Sequence, residues 1–92
     1  MLKIFKVRDR SMEPYLNSGD YVLATRLYAK LKEGDTVVLK HPAKPMTIIK
    51  RVKKIVPGSL YVAGDNQQLS EDSRSFGLVR MQNVLGKVIA RF

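Results

Sequence analysis

"MTIIKRVKKIVPGSLYVAG", residues 46–64, decides the fold of this chain. Two runs rich in Ile, Val and Tyr, 46–56 and 59–64, flank the turn signal "VPGS". The pattern has a period of two, not 3.6, so both runs read as strands. Side chains alternate along a strand, so Ile48, Lys50 and Val52 share one face. That puts a lysine in an apolar row.

The same period continues outward. "KIFKVR" (3–8), "YVLAT" (21–25), "DTVVLKH" (35–41) and "VLGKVIARF" (84–92) also read as strands, separated by "NSGD" (17–20), "KEGD" (32–35) and "HPAKP" (41–45). Residues 26–31 suit a short helical turn. The polar segment "GDNQQLSEDSRSFG" (64–77) reads as an ordered loop. Six short strands in 92 residues predict an all-β fold with little helix: a small coiled sheet or half-open barrel forming a single domain over 1–92.

Composition narrows the function. At 45% hydrophobic and 27% charged residues the chain is globular. It has no cysteine, which excludes disulfides and thiolate metal sites, and its one histidine, His41, cannot build a multi-histidine zinc site. No cofactor and no metal are expected. No apolar run approaches the roughly 18–20 residues that span a bilayer. The N-terminal "MLKIFKVRDR" lacks the apolar centre of a signal peptide. A soluble chain without an anchor is expected, in the cytoplasm. The net charge of +9 is lopsided: residues 1–54 carry 13 Lys/Arg against 5 Asp/Glu, residues 55–92 carry 4 against 3. A basic half attracts nucleic acid or an anionic membrane, or simply keeps a small protein soluble. Basic residues scattered among strands, with 8% aromatics, argue against a base-stacking surface, so no nucleic-acid partner is expected.

Two residue types carry the chemistry. In "RSMEPYL" (10–16), Ser11 is either an ordinary turn residue or a nucleophile, and a serine nucleophile needs a base within hydrogen-bond reach. Lysine serves as a base only when neutral, which burial promotes. Lys50 is the candidate, unless it sits on an edge strand with its head in water. In 64–77, Asp72 and Arg74 can pair and Ser70 can offer a hydroxyl to an amine; a surface turn or an oxygen-donor cation site would use the same residues.

Together these segments resemble the signal peptidase I type of serine protease, the S26 family with a serine–lysine dyad. Ser11-Met12-Glu13-Pro14-Tyr15-Leu16 is similar to that family's S-M-x-P-T-L box, Gly19-Asp20-Tyr21-Val22 to G-D-x-V, and Lys50-Arg51-Val52 with Pro57-Gly58 to K-R-V and P-G-D. Residues 64–77 match every fixed position of G-D-N-x-x-x-S-x-D-S-R-x-x-G. The resemblance implies that Ser11 attacks the scissile carbonyl, Lys50 is the base, and Ser70 orients the Lys50 amine. Asp72 and Arg74 would brace the loop, the Ser11 N–H would donate to the oxyanion, and Met12, Pro14 and Tyr15 would shape the substrate groove. It also implies a precursor protein or peptide bound as an added β-strand and cut after a small residue.

Three positions depart from the pattern. Ser59 replaces an aspartate in a turn, Tyr15 a threonine, and Asp9 a serine or glycine near the oxyanion hole. A carboxylate facing an oxyanion repels it. The Asp9 side chain is therefore expected to point away, toward Arg8 or Arg10. The short chain resembles the soluble members described as nickel-type superoxide dismutase maturation proteases, which implies leader removal from a cytoplasmic precursor. Two rivals stand beside this reading. One is a self-cleaving repressor-type Ser/Lys protease, against which the 64–77 box argues. The other is a catalytically impaired basic binding module. "KHPAKP" reads as an exposed turn, so replacing His41 by alanine is expected to change any activity only a few-fold.

Overall fold

The computed structural model describes residues 2–27 and 30–92. Seven strands form one antiparallel sheet: β1 (Leu2–Lys6), β2 (Tyr21–Thr25), β3 (Thr36–Lys40), β4 (Thr47–Val56), β5 (Ser59–Ala63), β6 (Val79–Arg80) and β7 (Val84–Arg91). Their spatial order is β1-β2-β7-β3-β4-β5-β6. The two ends, β1 and β6, do not pair, so the curled sheet is a half-open barrel, as its all-β sequence pattern predicts.

The curl has a local cause. Register shifts interrupt the β2/β7, β3/β7 and β4/β5 ladders, at Leu23/Ala24, Val38/Leu39 and Val52/Lys54. Each such bulge bends its strand and increases the local twist. Gly58 closes the β4–β5 turn with φ of +75°, a conformation that costs glycine little.

β3 lies mid-sheet and is buried on both faces, which explains its continuous apolar run. Val37 and Leu39 join Ile48, Val52, Leu60, Val62 and Val79 in one core cluster. Val38 faces the other way, into a second cluster with Val7, Met12, Leu16, Val22 and Ala24. On β4, Ile48, Lys50 and Val52 are all buried, as their shared face predicts.

The sequence pattern misses β6, whose two residues are too few to show a period. The 64–77 loop is ordered and contains a 3-10 turn (Gln67–Leu69) and a one-turn helix, α1 (Ser73–Phe76). The helical turn expected over 26–31 includes residues 28–29, which lie outside the described residues.

Candidate active site

Three chain segments converge where β4 leaves the hairpin with β3. The first is the turn that joins β1 to β2. Its ends are tied by Val7 N–H to Asp20 O (2.7 Å) and Gly19 N–H to Val7 O (2.8 Å). Met12 and Leu16 sink from it into the second core cluster, which fixes Ser11 between Asp9 and a buried anchor. Ser11 itself is only 1% exposed. Its carbonyl accepts from Asn66 N–H at 2.8 Å, so the serine turn is bonded to the 64–77 loop.

The second segment is β4. Its apolar face holds Lys50 at 2% exposure, and the side chain donates from Nζ to Ser70 Oγ at 3.0 Å. Burial pushes the Lys50 pKa down. The carboxylates of Asp9, Asp72 and Glu71 pull it partly back up, and Arg74 pushes it further down.

The third segment organises the other two. Ser70 Oγ accepts from Lys50 and from Gly64 N–H (3.1 Å) and gives its single proton to Asp72 Oδ2 (2.9 Å). Asp72 is fully buried and accepts from Gly64 N–H, Arg74 N–H and the Arg74 guanidinium. Burial alone would raise its pKa, but the Arg74 hydrogen bonds and the backbone donors outweigh it and hold the carboxyl down to about 2. Asp72 is thus a fixed anion, and its acceptance of the Ser70 proton leaves the Ser70 oxygen as an acceptor for the amine. Among the described residues no buried side-chain nitrogen or oxygen lacks a partner.

Arg51 joins all three segments. It makes a bidentate pair with Asp65 (both contacts 2.8 Å) and lies over the Tyr15 ring, 4.7 Å from its centroid. Arg91 also lies on this ring, at 4.9 Å. A cleft of about 520 Å³ is walled by Ile4–Asp9 on one side and Met46–Ile49 on the other, with Met12 between; Asp9 and Met12, which flank Ser11, line it, and Ser11 and Lys50 do not. Pro14 and Tyr15 do not line it. The Tyr15 ring is held between two arginines instead.

Two expectations are corrected. Asp9 does not turn toward Arg8 or Arg10; Arg10 pairs with Glu13 (3.0 Å). Asp9 Oδ1 accepts from both Ser11 N–H (3.0 Å) and Ser11 Oγ (2.8 Å). The physical reason is reach: a short aspartate side chain easily meets the N–H two residues on. His41 is not exposed either. It is 8% exposed, its ring stands edge-on to Phe76, and Nδ1 accepts from Ala43 N–H and Lys44 N–H (both 3.0 Å). The ring proton therefore sits on Nε2 and is donated to Glu71 Oε1 at 2.8 Å. Lys44 holds the same carboxylate at 3.2 Å, so the β3–β4 connection is clamped to the residue between Ser70 and Asp72.

This clamp was invisible in the sequence because His41 and Glu71 lie thirty positions apart. It changes the outcome expected for His41→Ala. Loss of a packed ring and of three hydrogen bonds should cost about 1–3 kcal/mol. The melting temperature should fall by roughly 5–20 °C. Calorimetry checks this, and an unchanged melting temperature would show that the clamp carries no weight.

Residues 1–55 and 53–92 match the family model described as signal peptidase, peptidase S26. The chain belongs to the S26 signal peptidase family. It is 37% identical over 81 residues to signal peptidase IB of Staphylococcus aureus, an alignment covering 87% of this chain and 38% of that protein. It is 28% identical over 105 residues to mitochondrial inner membrane protease subunit 1 of Xenopus tropicalis, covering 88% of this chain and 63% of the relative. The chain thus spans well under half of the first relative's length. Among the described residues of this S26 chain, no helix is long and apolar enough to cross a membrane.

Proposed function

We propose that this chain is a serine endopeptidase that removes an N-terminal leader from a precursor protein, with Ser11 as nucleophile and neutral Lys50 as base. One observation carries the reading: the buried Lys50 amine is held by Ser70 in a loop that also bonds the Ser11 carbonyl through Asn66. The Ser11 hydroxyl is bonded to Asp9 and the Lys50 amine to Ser70; a neutral amine that donates to Ser70 keeps its lone pair to accept a proton. Lys50 takes the Ser11 proton as Oγ attacks the scissile carbonyl carbon. The resulting ammonium then protonates the leaving amine as the C–N bond breaks. A water, deprotonated by the same amine, releases the acyl group and regenerates Ser11. The Ser11 N–H is one donor to the oxyanion.

The cleft supports substrate binding as an added strand. Thr47–Lys50 pair with β3 on one side, whereas β5 pairs only from Arg51 onward, and β1 is an edge strand on the opposite wall. An extended peptide can use these unpaired backbone groups. The substrate we propose is a nickel-type superoxide dismutase precursor, and the location the cytoplasm.

The test is mass spectrometry of a peptide library incubated with the protein, with Ser11→Ala in parallel. Cuts that require Ser11 and follow small residues are expected. The rate should rise with pH, because the neutral amine is the active form. Its midpoint should lie below the 10.5 of a free lysine, since burial lowers the Lys50 pKa. A rate flat from pH 6 to 10 would exclude a lysine base. The Asp9–Ser11 contact favours a second reading, a catalytically impaired basic module. Steep salt dependence of binding to unrelated DNA, with no Ser11-dependent cuts, would select it.

A further inference from the structure

Asp9 occupies the position that the reaction needs. Its Oδ1 takes the Ser11 N–H, the donor meant for the oxyanion, and also the Ser11 hydroxyl proton, which must pass to Lys50. One oxygen therefore blocks both functions of Ser11 at once. The blockage is built to be reversible. Asp9 is an exposed residue on the wall of the cleft, and no salt bridge among the described residues holds its carboxylate. Rotation of its side chain toward solvent would cost the two Ser11 hydrogen bonds and regain hydration.

We infer that Asp9 is a self-inhibitory plug that an extended substrate strand displaces, so that the site opens only for segments long enough to fill the cleft. This rests on the peptidase reading above. The scissile carbonyl oxygen takes over the Ser11 N–H, and the freed Ser11 hydroxyl turns to Lys50. Backbone pairing along Thr47–Ile49 and β1 supplies the binding energy that drives the exchange. Short peptides make fewer of these bonds and displace the plug poorly.

Displacement also reaches the base. Four charged groups act on Lys50: Asp9 from the serine turn, and Asp72, Glu71 and Arg74 from the 64–77 loop. Of the carboxylates, Asp9 favours the ammonium most. Moving it away therefore favours the neutral amine. Substrate binding and base activation are coupled through one side chain.

The experiment compares wild type, Asp9→Gly and Asp9→Asn on two Ser11-dependent substrates, a pentapeptide and a peptide of about twenty residues containing the same cut site. For the pentapeptide, kcat/KM should rise about tenfold or more in Asp9→Gly, a part of the roughly 10²–10³ that one oxyanion donor contributes. The long peptide should gain less, and the pH midpoint should move down in both variants. Asp9→Asn keeps the side chain's size, so it should show the same direction if charge matters. Ser11 amide hydrogen exchange is the second readout: protection in wild type should be lost in Asp9→Gly. If wild type cleaves and neither variant is faster on the pentapeptide, the plug is refuted while the peptidase reading stands. If no variant cleaves or is labelled at Ser11 by a fluorophosphonate, both fall.

Discussion

Lys50→Met is expected to abolish Ser11-dependent cleavage while leaving the melting temperature unchanged or raised by several degrees. The two effects have one origin. Lys50 stands on the apolar face of β4 between Ile48 and Val52, at 2% exposure. An ammonium there loses its hydration, and burial pushes its pKa down against the pull of Asp9, Asp72 and Glu71. Methionine has nearly the same length and no charge to desolvate. Its introduction strands no partner, because Ser70 keeps Gly64 N–H as donor and Asp72 as acceptor. Removing a general base costs typically 10²–10⁴ in rate, so activity should fall at least 10²-fold. A site that sacrifices stability for chemistry behaves this way.

Lys50→Arg separates charge from basicity. A guanidinium cannot deprotonate, so this variant should be as inactive as Lys50→Met. It should also be the less stable of the two, since its charge cannot be shed in the same apolar row. The sign of the pH effect follows. Above 10.5 Lys50 is neutral whether the chain is folded or not, and wild type carries no charge penalty. As pH falls from there to the lowered folded pKa, the unfolded chain gains a proton that the folded one resists, and stability is lost. The stability gap between Lys50→Met and wild type should therefore be widest at low pH and close toward 10.5. Calorimetry across pH and the peptide assay measure both halves. An active Lys50→Arg would rule out the base, and a large drop in melting temperature for Lys50→Met would make Lys50 a structural residue.

The alternation of Ile48, Lys50 and Val52 was legible because a two-residue period needs no tertiary information. The same holds for β2, β5 and β7, while β3 was legible as a short apolar run between turn signals. β6 was not, because Val79–Arg80 exists only by pairing with Ser59 and Leu60. The Asp72–Arg74 pair was legible as neighbours within one loop, whereas the bonds of Asp72 with Ser70 and with Gly64 N–H were not. The clamp on Glu71 was not, since His41 comes from another hairpin. The Asp9 contact was hidden for a different reason. Arg8 and Arg10 flank it with opposite charge, but exposed pairs are weak, and the aspartate has two donors within reach on Ser11. The contacts of Tyr15 were not legible, because Arg51 and Arg91, distant in sequence, meet on its ring.

Gly64→Ala should disable the site without touching any group that reacts. Gly64 directly follows β5, where the serine turn and the 64–77 loop come together. A Cβ there would lie 2.3 Å from Ser70 Oγ, 2.6 Å from Ser70 Cβ and 2.6 Å from the Ser11 carbonyl oxygen. None of these is a far end of a flexible chain. Ser70 is pinned by Asp72 and by Gly64 N–H, and the Ser11 carbonyl by Asn66. The methyl must push Ser11 and Ser70 apart, and Ser70 carries the Lys50 amine with it. Misplacing catalytic groups by about 1 Å costs on the order of 10²-fold. Overpacking should add about 1–3 kcal/mol of destabilisation. Gly58→Ala is the control. Its turn is open, with nothing near the added Cβ, but φ of +75° strains it, so it should lose stability and keep its activity. If both variants are destabilised and only Gly64→Ala loses cleavage at a temperature where both are folded, the loss belongs to geometry. If Gly64→Ala cleaves within a few-fold of wild type, the contact of Ser11, Gly64 and Ser70 does not set the distance between nucleophile and base.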